Sequence, residues 1–328
     1  MDSEAVASFY NERVNDRTER RTSRILRMRN FNNWVKAVLI QLHTRPNYSV
    51  LDLACGKGGD LLKWDSAGVT LYVGCDIARV SLEQAIERYQ KMRQVKFDAM
   101  FLHGDCFSAR VERYLSDEAM FDVVSSQFAI HYAFENEKRV RRLLENVSSR
   151  LKPGGFFIGT TPDANVLIRK LRAVEGLEFG NSIFNMAFDG PDKYFPGDKS
   201  PWGIRYRFTL DENVMDTPEF LVHFPSFEKI AAEYDLELRL LMNFHQFYLE
   251  FIKVPEFLEI YERLKVVGQH GSSPPSHQDD RHVLERDVYL TSGFTSPYLQ
   301  GSRTMSGTRF SCTPRLFSKK RVDHRIQA

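Results

Sequence analysis

Short apolar runs recur along the first half of the chain, each followed by a more polar stretch. Residues 48–54, 70–76, 97–103, 120–126 and Phe156–Thr160 read as buried strands. The stretches 59–66, 79–93, 108–115 and 135–151 read as the helices between them, with Pro153-Gly154-Gly155 as a turn before the fifth strand. Phe31–His43 precedes the series as an amphipathic helix, with Trp34, Val38, Gln41 and Leu42 on one side. Strands alternating with helices predict an α/β fold, a parallel sheet covered on both faces. After Thr161-Pro162 the rhythm changes. Residues 176–210 mix Gly, Pro, Asp and Asn with aromatics and end in the period-two run Ile204–Leu210, which predicts a small inserted lobe. A helix near 225–234 and a strand near 236–243 resume the pattern, and 268–280 is a polar loop.

The first strand ends in a glycine-rich turn, Leu51-Asp52-Leu53-Ala54-Cys55-Gly56-Lys57-Gly58-Gly59-Asp60, and the second ends in Asp76. Glycines let a backbone approach a ligand, and an acid at the next strand's end can accept both hydroxyls of a ribose. The dinucleotide fingerprint fails here, because Leu61 stands where its third glycine belongs. A P-loop fails too, because no Ser or Thr follows the lysine. Asp52 before the turn would repel a pyrophosphate and attract an amino group. That combination favours S-adenosylmethionine over NAD or ATP.

Composition narrows the class further. The 328 residues are 42% apolar, enough for a large core. Cys55, Cys75, Cys106 and Cys312 show neither metal-ligand spacing nor a disulfide framework, so no metal is expected. No stretch is long and apolar enough to span a membrane. Net charge is only +2, but residues 301–328 carry +6 and residues 1–300 carry −4. Any nucleic-acid contact by the main body must therefore come from a local basic cluster.

Several segments together resemble the eukaryotic mRNA cap (guanine-N7) methyltransferases: Arg29–Lys36 with its Phe-Asn-Asn-Trp, Leu51–Trp64, Gln127–Tyr132, Gly154–Pro162 and Pro218–Pro225. The resemblance runs over about residues 9–265. It implies a Rossmann-like seven-stranded sheet, S-adenosylmethionine as donor with S-adenosylhomocysteine as product, and the guanosine of a GpppN-capped transcript as acceptor. With the composition of its two ends, the chain is expected to divide into a polar Arg-rich arm (1–30), a catalytic domain (31–300) and an atypical basic tail (301–328). Ala54 stands where this family usually has glycine, tolerable unless the position needs positive φ.

N7 of guanine carries a lone pair and no proton, so methyl transfer needs no general base. Asp76 is expected on the ribose and Asp105 on the adenine amino group. The resemblance implies a donor site of Lys36, Asp52, Ala54, Gly56, Asp76, Ile77, Asp105, Gln127 and Tyr132. It places Asn32, Asn33, Lys57, Lys63, Arg88, His131 and Glu219 around the cap, the cations on its phosphates. Phe128, His131, Tyr132 and Glu219 would position the acceptor. A carboxylate such as Glu219 can accept from guanine's N1–H and exocyclic amine together, although Glu219 after Pro218 also reads as a helix-entry residue. Capped mRNA is the implied partner, with guanylyltransferase and RNA polymerase II as protein partners and the nucleus as location. The alternatives are a class I methyltransferase with another RNA or small-molecule acceptor, and a cap- or RNA-binding module that has lost catalysis.

The tail departs from this family. Residues 303–320 lack clean alternation and read as a poor inner strand, so the last strand of the sheet is expected to be missing or altered. Codons for Met305 onward, read one base earlier, permit Asp-Glu-Trp-Asp-Ala-Phe-Leu-Val-Tyr-Thr-Ala-Phe-Ile-Phe-Lys-Lys, which is close to the family's ending. The tail therefore reads either as a shifted frame or as a lineage-specific basic extension that binds RNA.

Overall fold

The computed structural model describes residues 25–190, 200–210, 213–266, 291–292 and 316–319, together with Ser8, Asn11, Ser23 and Lys193. Five parallel strands form the centre: β1 (Ser49–Leu53), β2 (Leu71–Asp76), β3 (Asp98–His103), β4 (Phe121–Gln127) and β5 (Leu151–Thr161). Their helical connections are α2 (Leu61–Ser66) and α3 (Arg79–Gln90), then α4 (Ile130–Ala133) and α5 (Glu137–Ser148). All five residues of β1 are buried, as a central parallel strand covered on both faces requires. One face packs Leu51, Leu53 and Val73 against Leu143 and Leu144 of α5. The other packs Val50 and Tyr72 against Trp34, Val38 and Leu39.

These last residues belong to α1 (Leu26–His43), which begins five residues inside the stretch expected to be a polar Arg-rich arm. The arginines of that stretch hide a helical stripe: Ile25 is buried and Met28 partly so, both against the inserted lobe, and arginine itself is a good helix former. Gln41 is exposed and Leu42 only half-buried, so the apolar side of α1 is narrower at its end than expected. The stretch near 108–115 is reduced to a single 3₁₀ turn, Val111–Tyr114. Pro153–Gly155 lies inside β5 at a register shift against β4, not in a turn before it.

The inserted lobe is larger than its sequence signal. After α6 (Ala164–Arg172), an antiparallel sheet forms from β6 (Glu178–Gly180), β7 (Phe184–Phe188), β8 (Arg205–Leu210) and β9 (Asn213–Phe220). Phe184, Met186 and Phe188 alternate inward opposite Tyr206, Phe208 and Leu210 and close on Leu167 and Leu171 of α6. The lobe thus runs ten residues past the expected boundary at 210, and Glu219 sits on a strand instead of at a helix entry.

The chain then returns through α7 (Phe224–Glu233), β10 (Leu236–Arg239), β11 (Met242–Asn243), α8 (Phe244–Phe251) and α9 (Pro255–Arg263). Helices α8 and α9 cover α1: Trp34 donates its indole N–H to the Phe257 carbonyl at 2.8 Å. Two further segments join the sheet, β12 (Thr291–Ser292) against the end of β5 and β13 (Leu316–Lys319) between β5 and β10. The main order is β10-β13-β5-β4-β1-β2-β3, seven strands with β13 antiparallel to both neighbours. Of the two expectations for the last strand, missing or altered, the first is therefore corrected: β13 fills its place. An inner strand needs backbone donors and acceptors before it needs alternation, and Leu316–Lys319 follows Pro314 without containing a proline. Residues 267–290, with the expected polar loop, lie outside the described residues.

Candidate active site

A cavity of about 340 Å³ opens at the C-terminal ends of β1, β2 and β4, the usual place for a ligand in an open parallel sheet. The glycine turn forms its floor. Ala54, Gly56 and Gly58 all hold left-handed backbone, with φ of 61°, 54° and 66°. A Cβ on Gly58 would come within 2.6 Å of Leu61 and 3.1 Å of Ala85, so this glycine is needed where the turn meets α3. A Cβ on Gly56 would meet no atom of the described residues within 4 Å; its place opens toward the cavity.

Three carboxylates from successive strand ends border this space. Asp76 accepts from the Gly56 N–H at 2.7 Å through one oxygen and from the Ala78 N–H at 2.8 Å through the other. Burial still holds its carboxyl above the usual range. Asp52, buried in β1, accepts from the Tyr72 hydroxyl at 3.0 Å. Burial and the neighbouring charge of Asp60 push it up to about 7. Asp105, after β3, accepts from the Phe107 N–H and from Arg139, each at 2.9 Å.

Asp60 organises the cations. Burial opposes its ionisation, but Lys36 and Lys63, each 2.8 Å away, hold it below the usual carboxylate range. Lys63 also donates to Asn33 Oδ1 at 3.0 Å and to the Gly59 carbonyl at 3.1 Å. Burial lowers its pKa against the pull of Asp60. Lys57 and Arg88 line the cavity, and Arg88 donates to the Gly58 carbonyl at 3.1 Å.

Of the residues singled out from sequence, Lys36, Asp52, Ala54, Gly56, Lys57, Asp76, Ile77, Arg88, Asp105, Gln127, Phe128 and Tyr132 line the cavity. Asn32, Asn33, Lys63, His131 and Glu219 do not, although Lys63 and Asn33 meet each other beside it. Gln127 is held between Ser125 and Thr160, at 3.2 Å from each. Phe128 has a φ of 58°, an unusual conformation for a bulky residue and one that concentrates at functional sites. His131 and Glu219 adjoin the lining residues Tyr132, Pro218 and Phe220 in sequence. They approach each other to 3.6 Å and are almost wholly buried. Arg139, Phe107 and Glu135 line the cavity without having been legible from sequence. Arg139 carried no signal, since its partner Asp105 is 34 residues away.

The sequence pattern of the mRNA (guanine-N(7))-methyltransferase domain matches residues 1–295. The chain belongs to the mRNA (guanine-N7)-methyltransferase family. Among its relatives, mRNA cap guanine-N(7) methyltransferase 1 of Arabidopsis thaliana is 48% identical over 281 residues, covering 83% of this chain and 75% of the relative. Its counterpart in Oryza sativa is 47% identical over 293 residues, with 87% and 77% covered. The mRNA cap guanine-N(7) methyltransferase of Schizosaccharomyces pombe is 42% identical over 278 residues, with 82% and 76% covered. The methyl donor of this cap methyltransferase is S-adenosylmethionine, and the cavity fits it. The donor presents an ammonium, a ribose diol and an adenine amine, each suited to a carboxylate, and three acids stand at the ends of or just beyond β1, β2 and β3. The space opening at Gly56 leaves room for the molecule to lie against the turn.

Proposed function

We propose that this chain methylates N7 of the terminal guanosine of capped mRNA, with donor and acceptor meeting in the cavity above β1, β2 and β4. The observation that carries this reading is the juxtaposition of Asp52, Asp76 and Asp105 with the cations Lys57 and Arg88 on one opening. S-adenosylmethionine supplies a sulfonium methyl that a neutral ring nitrogen can accept. Asp76 takes the ribose hydroxyls, Asp105 the adenine amine, and Asp52 faces the ammonium end with Lys36 and Gln127 beside it. Lys57 and Arg88 meet the phosphate bridge. Lys63 acts in this scheme through Asp60 and Asn33, keeping the basic rim in place. Phe128 and Tyr132 wall the purine, and Glu219 accepts from its N1–H and exocyclic amine.

No side chain has to remove a proton from N7. The enzyme's contribution is alignment, charge placement and exclusion of water. A nuclear site of action belongs to this proposal, as do contacts with guanylyltransferase and the transcribing polymerase, because the substrate is a new transcript's cap.

The test is methyl transfer from labelled donor to GpppA-capped RNA, with uncapped and already N7-methylated RNA as controls. Label on the unmethylated cap alone is expected. Asp76→Ala should weaken donor binding about 10- to 100-fold, the worth of hydrogen bonds to a charged group, and leave cap-analogue affinity alone. Label on uncapped RNA, or unchanged donor affinity in Asp76→Ala, would refute the assignment.

A further inference from the structure

Tyr206 and Glu219 are direct partners in the β8–β9 ladder. The Tyr206 hydroxyl donates to Glu219 Oε2 at 2.7 Å. Tyr206 is fully buried and Glu219 is 5% exposed. The second carboxylate oxygen, Oε1, lies 3.6 Å from Nε2 of His131, beyond hydrogen-bond distance. Among the described residues, neither ring nitrogen of His131 has a hydrogen-bond partner, although both are buried. Buried polar atoms in this state call for an explanation, and an ordered water or a bound ligand would each satisfy them. One oxygen of Glu219 is thus anchored to the lobe, and the other shares its surroundings with an imidazole that still has bonds to make.

The consequence lies in the terminal torsion of Glu219. That torsion is broad and roughly two-fold in a free glutamate. Guanine offers two parallel donors, N1–H and the 2-amino group, and both are met only when the carboxylate plane is fixed to face them. A hydroxyl on Oε2 fixes that plane and leaves each oxygen a lone pair for the base. The Tyr206 ring is itself held against Phe188, with centroids 5.4 Å apart, so the anchor is as rigid as the lobe's core.

We propose that Tyr206 is a positioning residue for purine selectivity: by fixing the carboxylate of Glu219, it makes the enzyme favour guanine over a purine that lacks the 2-amino group. This rests on the reading of Glu219 as the guanine acceptor. The discriminating substrate is an inosine cap, IpppA, whose hypoxanthine keeps N1–H and N7 and lacks only the amine.

The experiment compares kcat and KM for GpppA- and IpppA-capped RNA in the full chain, Tyr206→Phe and Glu219→Gln, with product affinity measured by calorimetry. Tyr206→Phe keeps the packed ring and removes only the hydroxyl. It should raise KM for GpppA roughly tenfold, the equivalent of one hydrogen bond to a charged group, and raise it less for IpppA. The preference between the two caps should fall accordingly, with kcat and S-adenosylhomocysteine affinity little changed. An unaltered preference in Tyr206→Phe, beside a reduced one in Glu219→Gln, overturns the role of Tyr206 alone. Equal losses on both caps together with lost product affinity mark a structural role and overturn it as well. If Glu219→Gln leaves cap KM and preference unchanged, the guanine reading of Glu219 itself fails, and the role of Tyr206 fails with it.

Discussion

Ala54 holds a backbone angle of φ 61° that alanine reaches only against the clash of its Cβ with the neighbouring carbonyl, at a cost of about 1–2 kcal/mol. The turn demands that angle, because it must carry the chain from β1 round to Gly56, whose N–H reaches Asp76. Replacing Ala54 with Gly removes the clash and gives back part of the gain in unfolded-chain entropy, about 0.5–1 kcal/mol. Ala54→Gly should therefore raise the melting temperature by roughly 1–3 °C with donor affinity kept; a lowered melting temperature would mean that the strain is absent. Asp52 two residues earlier has a pH signature. Burial and the charge of Asp60 lift its folded value to about 7 from an ordinary 3.8. Between those values the folded protein keeps a proton that the unfolded chain has lost, so folded-state stability falls as pH rises. The contribution of neutral Asp52 is complete below about pH 4 and lost on passing pH 7. In urea melts, wild type should lose stability relative to Asp52→Asn between pH 5 and 8, and a constant difference across that range would refute the raised value.

At the scale of elements, Asp60 is the joint between α1 and α2, since it receives Lys36 from one and Lys63 from the other. The lysine side chains are only 15% and 14% exposed, so removing the carboxylate leaves two ammonium groups facing each other with little water. Loss of one member of a buried charged cluster costs about 3–5 kcal/mol. Asp60→Ala should show that loss as a lowered urea midpoint, largest at low salt, and a change under 1 kcal/mol would show that the lysines rearrange into solvent. The same joint shows what the sequence could reveal. The glycine turn, Asp52 and Asp76 are local patterns on adjoining elements, and the alternation of strands and helices places them together. The pairing of Lys63 with Asn33 spans 30 residues, and that of Arg139 with Asp105 spans 34; only the folded sheet brings such partners into reach. Helices α8 and α9 escaped for a related reason. Phe247, Tyr248 and Tyr261 crowd around Trp34, and an aromatic-rich stretch of this kind has no clean helical period until its partner is known.

For the molecule as a whole, the decisive element is the one that looked least able to form. The basic tail reads as a poor inner strand because its side chains do not alternate, yet β13 closes the gap between β5 and β10. Its ladder explains the difference. Ser318 is paired with Phe156 of β5 on one side and Glu237 of β10 on the other, so the backbone, independent of side-chain pattern, joins the returning strand to the parallel sheet. Without β13, β5 would present an open edge except where β12 pairs with its end, and β10 would have no neighbour in the sheet, the arrangement that invites association between copies. A proline at 318 is the sharpest probe, because it removes the N–H and clashes within an inner strand, whereas Ser318→Ala leaves the ladder untouched. Ser318→Pro should lose at least about 1–3 kcal/mol, the penalty of leaving a ladder partner unpaired, and aggregate on warming; Ser318→Ala, which keeps the backbone N–H, should lose far less. If both variants melt with wild type, residues 316–319 contribute nothing to the sheet, and the fold must be stable with β5 as its edge.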